Sequence, residues 1–407
     1  MLEKVKDTEL ILLDNVQFIY ELSLAKLELK ALGADYEVAN GLREFRLNNK
    51  SNELNERIIK KSSYFKSIGN NFTDYFQIIQ KNKTRSINQY LTHWIYPYKG
   101  KFHPQMIRAL LNIIGLKEGD TVFEPFSGSG TTALEAQLLN INFVGIDISP
   151  LCILQSRVKT KAIFVIDEII KFKNTLISKF NPSLFEQKHD FYKILESIEN
   201  KNVKDFYMLA RLLAVSDKSR RGRSFEQSFI KNLNLMIESV NDYKEITEKL
   251  HLKLGTVELK IGDSRKVELP DNSIDGVITS PPYSIALDYV KNDAHSLQDM
   301  GYKLNEIRED FIGVRGKRKE RIELYNNDMK KSYNEIYRIL KPDKYAVIVI
   351  GNATYRGQEI KTVEFTIDYM TEIGFKLEKN IPKLIFGLYN IMKKENILIF
   401  RKVKIQN

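Results

Sequence analysis

Five apolar runs recur along the chain, at Thr121–Phe126, Asn142–Ile146, Val257–Ile261, Ile274–Thr279 and Tyr345–Ile350. Each is short and bounded by turn-forming residues, the pattern of a strand buried on both faces. Between them lie stretches with helical spacing, at Met106–Ile114, Ala133–Leu139 and roughly Tyr325–Leu340. Alternation of this kind predicts an α/β fold with a doubly wound, mostly parallel sheet. Two further candidates, Lys376–Lys379 and Asn396–Lys402, are expected to close the sheet as an antiparallel pair.

Two regions interrupt the rhythm. Residues 1–90 carry helical spacing, as in Phe18, Leu22, Ala25 and Leu29, and no strong strand pattern, so a helical N-terminal region is expected. Residues 156–254 form a helical insertion with a clear apolar face at Phe229, Leu233, Met236, Ile237, Val240 and Tyr243. The sheet is thereby divided into a first part, 91–155, and a second part, 255–407. A length of 407 residues suits several subdomains.

Charge sharpens the picture. The formal net charge of +11 makes a polyanionic partner plausible. Residues 155–254 hold 19 basic against 13 acidic side chains, among them the compact run Lys218, Arg220, Arg221 and Arg223. A second basic run holds Arg315, Lys317 and Arg318. Such runs serve either as phosphate contacts or as solvated tips. A single cysteine, Cys152, excludes an internal disulfide framework, and with five scattered histidines it leaves no zinc-type spacing, so no metal is expected. Charged residues interrupt Leu2–Leu13, and no run approaches a membrane span. A cytoplasmic protein without a membrane partner is expected.

Two turns at strand ends carry the candidate chemistry. Ser127-Gly128-Ser129-Gly130-Thr131-Thr132 joins the first strand to a helix, and the next strand ends in Asp147, 17 positions beyond Gly130. Glycines there permit a tight turn with backbone exposed to a ligand, but the full dinucleotide fingerprint is absent. An adenosine-bearing cofactor without a pyrophosphate fits better. The second turn, Ser280-Pro281-Pro282-Tyr283, must leave the sheet because two prolines cannot continue the ladder. It offers a small polar side chain, a free carbonyl and an aromatic face, which suit a flat amine. In a doubly wound sheet the first and fourth strands adjoin at the switch point, so both turns should face one cleft.

Together these motifs resemble the S-adenosylmethionine-dependent DNA amino-methyltransferases, the N4-cytosine/N6-adenine class, over about 90–155 and 255–402. The resemblance implies a Rossmann-like methyltransferase sheet with S-adenosylmethionine as cofactor. It assigns the cofactor loop to Glu124, Pro125, Phe126, Ser127, Gly128, Ser129, Gly130, Thr131 and Thr132. Phe102 and His103 belong to the segment that precedes this loop and folds against the methionine moiety. Asp147, with Ile148, corresponds to the ribose-binding acid, and Asp263, with Ser264, to the acid on the adenine side.

The catalytic motif is carried by Ser280, Pro281, Pro282 and Tyr283. Ser280 and the Pro281 carbonyl would accept the amino hydrogens, and Tyr283 would stack on a base turned out of double-stranded DNA. Serine at the first position is the version the family tends to use on cytosine N4, with adenine N6 left open. A separately encoded restriction endonuclease is a further expected partner. Departures are Glu124 in place of the usual aspartate, the glycine-free turn Lys341-Pro342-Asp343-Lys344, and the insertion between the second and third strands. The insertion and the segment 302–324 are the favoured target-recognition regions. The unpermuted motif order also resembles tRNA guanine-N2 methyltransferases. Pro342-Asp343 with Glu359 and Lys361 satisfies a loose nuclease pattern, but a charged chain of this length often matches it by chance, and Asp343 is better explained as a strand-entry turn.

Overall fold

The computed structural model describes residues 8–49, 51–82, 86–179, 185–282, 288–316, 318–355, 358–384 and 394–403. The N-terminal region contains the expected helices, α1 (Ile19–Ala31), α2 (Asn52–Lys61) and α3 (Asp74–Ile79). It also contains five strands: β1 (Glu9–Leu12), β2 (Tyr36–Ala39), β3 (Glu44–Leu47), β4 (Phe65–Ile68) and β5 (Asn71–Phe72). These form an antiparallel sheet in the order β2-β3-β1-β4-β5, which corrects the purely helical expectation. The strands span two to four residues, too short for alternation to register against the helical period.

The main sheet begins after α4 (Pro104–Ile113) with β6 (Thr121–Glu124), α5 (Thr131–Leu138), β7 (Asn142–Asp147) and α6 (Pro150–Lys161). Next come the insertion helices α7 (Ile166–Lys179), α8 (Lys188–Glu196), α9 (Lys201–Arg221) and α10 (Phe225–Lys249). The sheet resumes with β8 (Val257–Ile261) and β9 (Ile274–Thr279), followed by three short helices, α11 (Tyr289–Asn292), α12 (Ala294–Asp299) and α13 (Leu304–Asp310). Then come α14 (Arg318–Ile339), β10 (Leu340–Ile350), a small hairpin of β11 (Ala353–Tyr355) and β12 (Gln358–Ile360), α15 (Thr362–Glu372), β13 (Phe375–Leu384) and β14 (Lys394–Lys402).

The seven-stranded order is β13-β14-β10-β9-β6-β7-β8. Pairs from β10 to β8 are parallel, while β14 pairs antiparallel with both β10 and β13. The first and fourth core strands, β6 and β9, are neighbours, with Val122 opposite Gly276 and Phe123 opposite Val277.

Strand periodicity explains why the runs are continuously apolar. Val122, Ile278, Val347 and Ile399 point into a core shared with α4, α5 and the insertion. Phe123, Val277, Ile348 and Phe400 point into the opposite core, under α14 and α15. Both faces are covered, so every position must be apolar. The glycine-free turn before β10 is absorbed as an irregularity: pairing shifts between Leu340 and Tyr345, and Asp343 takes a φ of 62°. Aspartate tolerates that conformation better than most residues.

Buried polar contacts fasten the N-terminal region to the main sheet. Arg108 of α4 donates to the carbonyls of Lys60 (3.0 Å) and Lys61 (3.3 Å), and its guanidinium lies over Tyr75. It also faces Glu135 of α5 at 3.5 Å. Asn112 donates to Glu28 (2.8 Å), whose carboxylate also accepts from Ser63.

Candidate active site

The loop after β6 is held from three sides. Gly128 N–H donates to Asp147 at 2.8 Å, and Ser127 N–H to the Ile146 carbonyl at 3.0 Å. From α6, Ser156 donates to the Gly128 carbonyl (3.2 Å) and the fully buried Lys159 donates to the Ser129 carbonyl (2.7 Å). Gly128 (φ 47°) and Gly130 (φ 73°) are left-handed, and Gly130 starts α5 at its N-cap. A Cβ on Gly128 would meet the Tyr98 ring at 3.1 Å. One on Gly130 would lie 2.8 Å from the Ser156 backbone. Glycine is therefore required at Gly130 for both conformation and space.

A cleft enclosing about 770 Å³, part of it open to solvent, lies at this edge of the sheet. Its floor includes Glu124, Gly128, Ser129 and Asp147, and Phe102, Pro125, Phe126, Ser127, Thr131, Ile148, Asp263 and Ser264 also line it. Ser280 and Pro282 open on the same cleft, so the two turns do converge. Gly130, Thr132 and the buried Pro281 stand behind its surface, and His103 is the N-cap residue of α4. Tyr283 lies outside the described residues.

Three carboxyl groups behave differently. Glu124 is buried, its Oε2 has no hydrogen-bond partner, and burial pushes its carboxyl well above the usual range. A buried carboxyl with one unpartnered oxygen in the cleft lining fits the ammonium group of the amino-acid end of S-adenosylmethionine. Asp147 accepts from Gly128 through Oδ2 and from Ser149 through Oδ1 (2.9 Å); burial nonetheless raises it to about 6. These two bonds leave lone pairs for ribose hydroxyls, so the residue both pins the loop and fits its expected role.

Asp263 is not free: Arg265 donates to both its oxygens, at 2.8 and 2.9 Å. Burial would raise its carboxyl, but these bonds more than offset it and leave the group below its ordinary value. Arg265 continues to Asp328, which also pairs with Arg315.

Sequence reasoning missed the opposite wall. Tyr289 and Phe311 line the cleft with Tyr98, and Tyr289 stacks between the other two rings, with centroids 6.3 and 6.1 Å away. Tyr98 lay inside a visible aromatic cluster, but Tyr289 and Phe311 stand in short segments with no periodicity to mark them. Lys101 also lines the cleft; it donates to the His93 carbonyl, and burial pushes its ammonium down to about 7.

The basic runs are placed differently from a set of free charges. Lys218 pairs with Glu186, Arg221 with Asp217 (2.8 Å), and Arg223 with Asp217 (3.6 Å). Arg220 instead reaches across to the Asn292 carbonyl (2.7 Å) and Asp293 (3.2 Å). Arg315 is committed to Asp328. Lys317 and the side chain of Arg318 lie outside the described residues.

Residues 43–157, from β3 through the cofactor loop to α6, match the family model described as a DNA methylase of the N6/N4 type. Over these residues the chain is similar to the N4/N6 DNA amino-methyltransferase class. A Type II methyltransferase, M.BsoBI of Geobacillus stearothermophilus, is 24% identical over 387 residues, covering 80% of this chain and 73% of that enzyme. The Type II methyltransferase M.MjaII of Methanocaldococcus jannaschii is 30% identical over 174 residues, which is 42% of this chain but 30% of that enzyme. A tRNA (guanine(10)-N2)-dimethyltransferase of Methanothermobacter thermautotrophicus is 39% identical over 51 residues, 12% of this chain and 15% of that enzyme. The matched family model and the Type II relatives imply S-adenosylmethionine as the cofactor. No helix among the described residues is long and apolar enough to cross a membrane.

Proposed function

We propose that this amino-methyltransferase modifies the N4 amine of cytosine at a specific site in double-stranded DNA, in the cytoplasm. The observation that carries the proposal is Ser280: it follows directly on β9, and with Pro282 it faces the cleft floored by Glu124 and Asp147. S-adenosylmethionine, when bound, supplies an electrophilic methyl group. Glu124 would hold its ammonium group, Asp147 its ribose, and Asp263, kept ionised by Arg265, the adenine side.

Ser280 and the Pro281 carbonyl accept hydrogen bonds from the target amine, which turns the nitrogen lone pair out of conjugation and toward the donor. A neutral hydroxyl suffices because the amine needs alignment more than a strong base. Tyr283 stacks on the base, which must leave the duplex to present this atom. Lys218, Arg221 and Arg223, all more than half exposed, supply phosphate contacts from the insertion. The Type II designation of two relatives supports a separately encoded endonuclease as partner.

Incubation with methyl-labelled S-adenosylmethionine and, separately, duplex DNA and bulk tRNA, followed by nucleoside mass spectrometry, tests the proposal. Label on N4-methylcytosine is expected. Label on N6-methyladenine would keep the class and change the base. The 51-residue similarity to a tRNA enzyme makes label on tRNA alone the outcome that defeats the DNA reading.

A further inference from the structure

Arg220 sits in the middle of a basic run yet points away from its neighbours. The other three cations of the run pair within the insertion, on Glu186 and Asp217. Arg220 leaves the last turn of α9 and donates to Asn292 and Asp293, 72 and 73 residues further along the chain. Its side chain is 33% exposed and that of Asp293 11%, so the pair is far less open to water than the exposed pairs beside it.

Asn292 and Asp293 are the junction between α11 and α12, and Tyr289 is the first residue of α11. Fixing this junction fixes the ring that stacks between Tyr98 and Phe311 in the cleft wall. Further contacts converge on the same short segment. Tyr96 bonds Ser296 at 2.6 Å, and Lys99 donates to Asn292 at 3.1 Å. Arg211 of α9 makes a bidentate pair with Asp299, both bonds 2.9 Å, while its guanidinium lies over Phe191 and Phe225. A planar guanidinium with two carboxylate bonds and two ring faces is a fixed point in the fold.

We infer that the insertion buttresses the cofactor cleft, with Arg220 as a positioning residue that sets the Tyr289 wall through Asn292 and Asp293. The basic run is thus divided by role: Lys218, Arg221 and Arg223 face solvent, and Arg220 faces inward. This inference rests on the cofactor reading of the cleft.

Arg220→Gln, Asp293→Asn and the double variant test it, with S-adenosylmethionine affinity measured by calorimetry and DNA affinity by a salt titration. Each single variant should weaken cofactor binding about fivefold to tenfold, and the double variant no more than either, as expected for coupled partners. KM for the cofactor should rise while DNA affinity and its salt slope stay unchanged, and Arg220→Lys should recover part of the loss. A shallower salt slope with intact cofactor binding would return Arg220 to phosphate contact and overturn the brace. Equal loss of cofactor and DNA binding with a lowered Tm would overturn it as well.

Amide hydrogen exchange in the ligand-free protein separates the brace from the cofactor reading. Arg220→Gln should speed exchange in 288–312 and leave 125–132 unchanged. Unchanged exchange in 288–312 defeats the brace whether or not the wild type binds cofactor. A wild type that binds no S-adenosylmethionine defeats the cofactor reading instead.

Discussion

The glycine loop at 127–132 and the basic run at 218–223 have similar texture: small polar or charged residues around a left-handed glycine at one end of a helix. Their surroundings differ completely. Asp147, Ser156 and Lys159 hold the first loop through buried hydrogen bonds, and a Cβ on Gly130 would strike the backbone of Ser156. In the second, Gly222 ends α9 at φ 64° with nothing within 4 Å of a Cβ, and three of its cations make exposed pairs. Glycine and charge specify a turn; burial decides whether the turn is a precise device or a tolerant surface.

Matched substitutions give the largest contrast. Gly130→Ala combines a left-handed alanine with a clash against backbone and should cost about 2–4 kcal/mol of stability, with loss of cofactor binding. Gly222→Ala meets the same conformational penalty in open space and should cost about 1 kcal/mol, with cofactor binding intact. Thermal unfolding and calorimetry of both variants check this. Equal costs would mean that conformation alone matters and would break the comparison.

The buttress behind the cofactor loop offers a pH signature that the surface run lacks. His93 is buried against Glu135 of α5 at 2.8 Å, and burial pushes its pKa down to about 4. The folded state therefore binds fewer protons than the unfolded chain between about pH 4 and the ordinary histidine value near 6.5. Stability from this group is present above that window and falls as pH drops through it. Raised carboxyls such as Asp147 and Glu28 have the opposite slope, so the test is a difference. The stability of wild type minus that of His93→Gln should shrink by up to about 3 kcal/mol from about pH 7 to about pH 4. A difference that stays constant with pH would show that His93 is not held neutral.

The same contrast explains what could be read from the sequence. Core strands were legible because burial on both faces forces continuous apolar runs, as in Ile274–Thr279, and the glycine turn at 127–132 because its glycines follow such a strand. The N-terminal sheet was not, because Glu9–Leu12 and Glu44–Leu47 are four residues long and keep charges on their outer faces. Nor was the wall formed by Tyr289 and Phe311, whose neighbours carry no period. The partners of Arg220 and Arg315 were hidden for another reason: charge is visible in one dimension, but the acid that pairs with it is not. Asp293 lies 73 residues from Arg220 and Asp328 13 from Arg315, so only the fold reveals that these cations are committed.

The smallest expected effect lies in the exposed half of the basic run. Lys218, Arg221 and Arg223 pair with Glu186 and Asp217 at positions more than half open to water on the cation side. Pairs of that kind contribute between about 0 and 1 kcal/mol, because solvent screens them and ordering long side chains costs entropy. Replacing all three with glutamine should therefore change stability by less than about 1 kcal/mol and leave cofactor binding untouched. The same weakness lets these cations exchange a carboxylate for a phosphate at little cost. The slope of log K against log salt for duplex DNA should thus become shallower by about 0.9 for each phosphate that is no longer neutralised. An unchanged slope would confine the run to its internal pairs and move the DNA interface to another surface. A shallower slope for these three together with an unchanged one for Arg220→Gln would show that one stretch of six residues contains both a surface for DNA and a strut for the cofactor cleft.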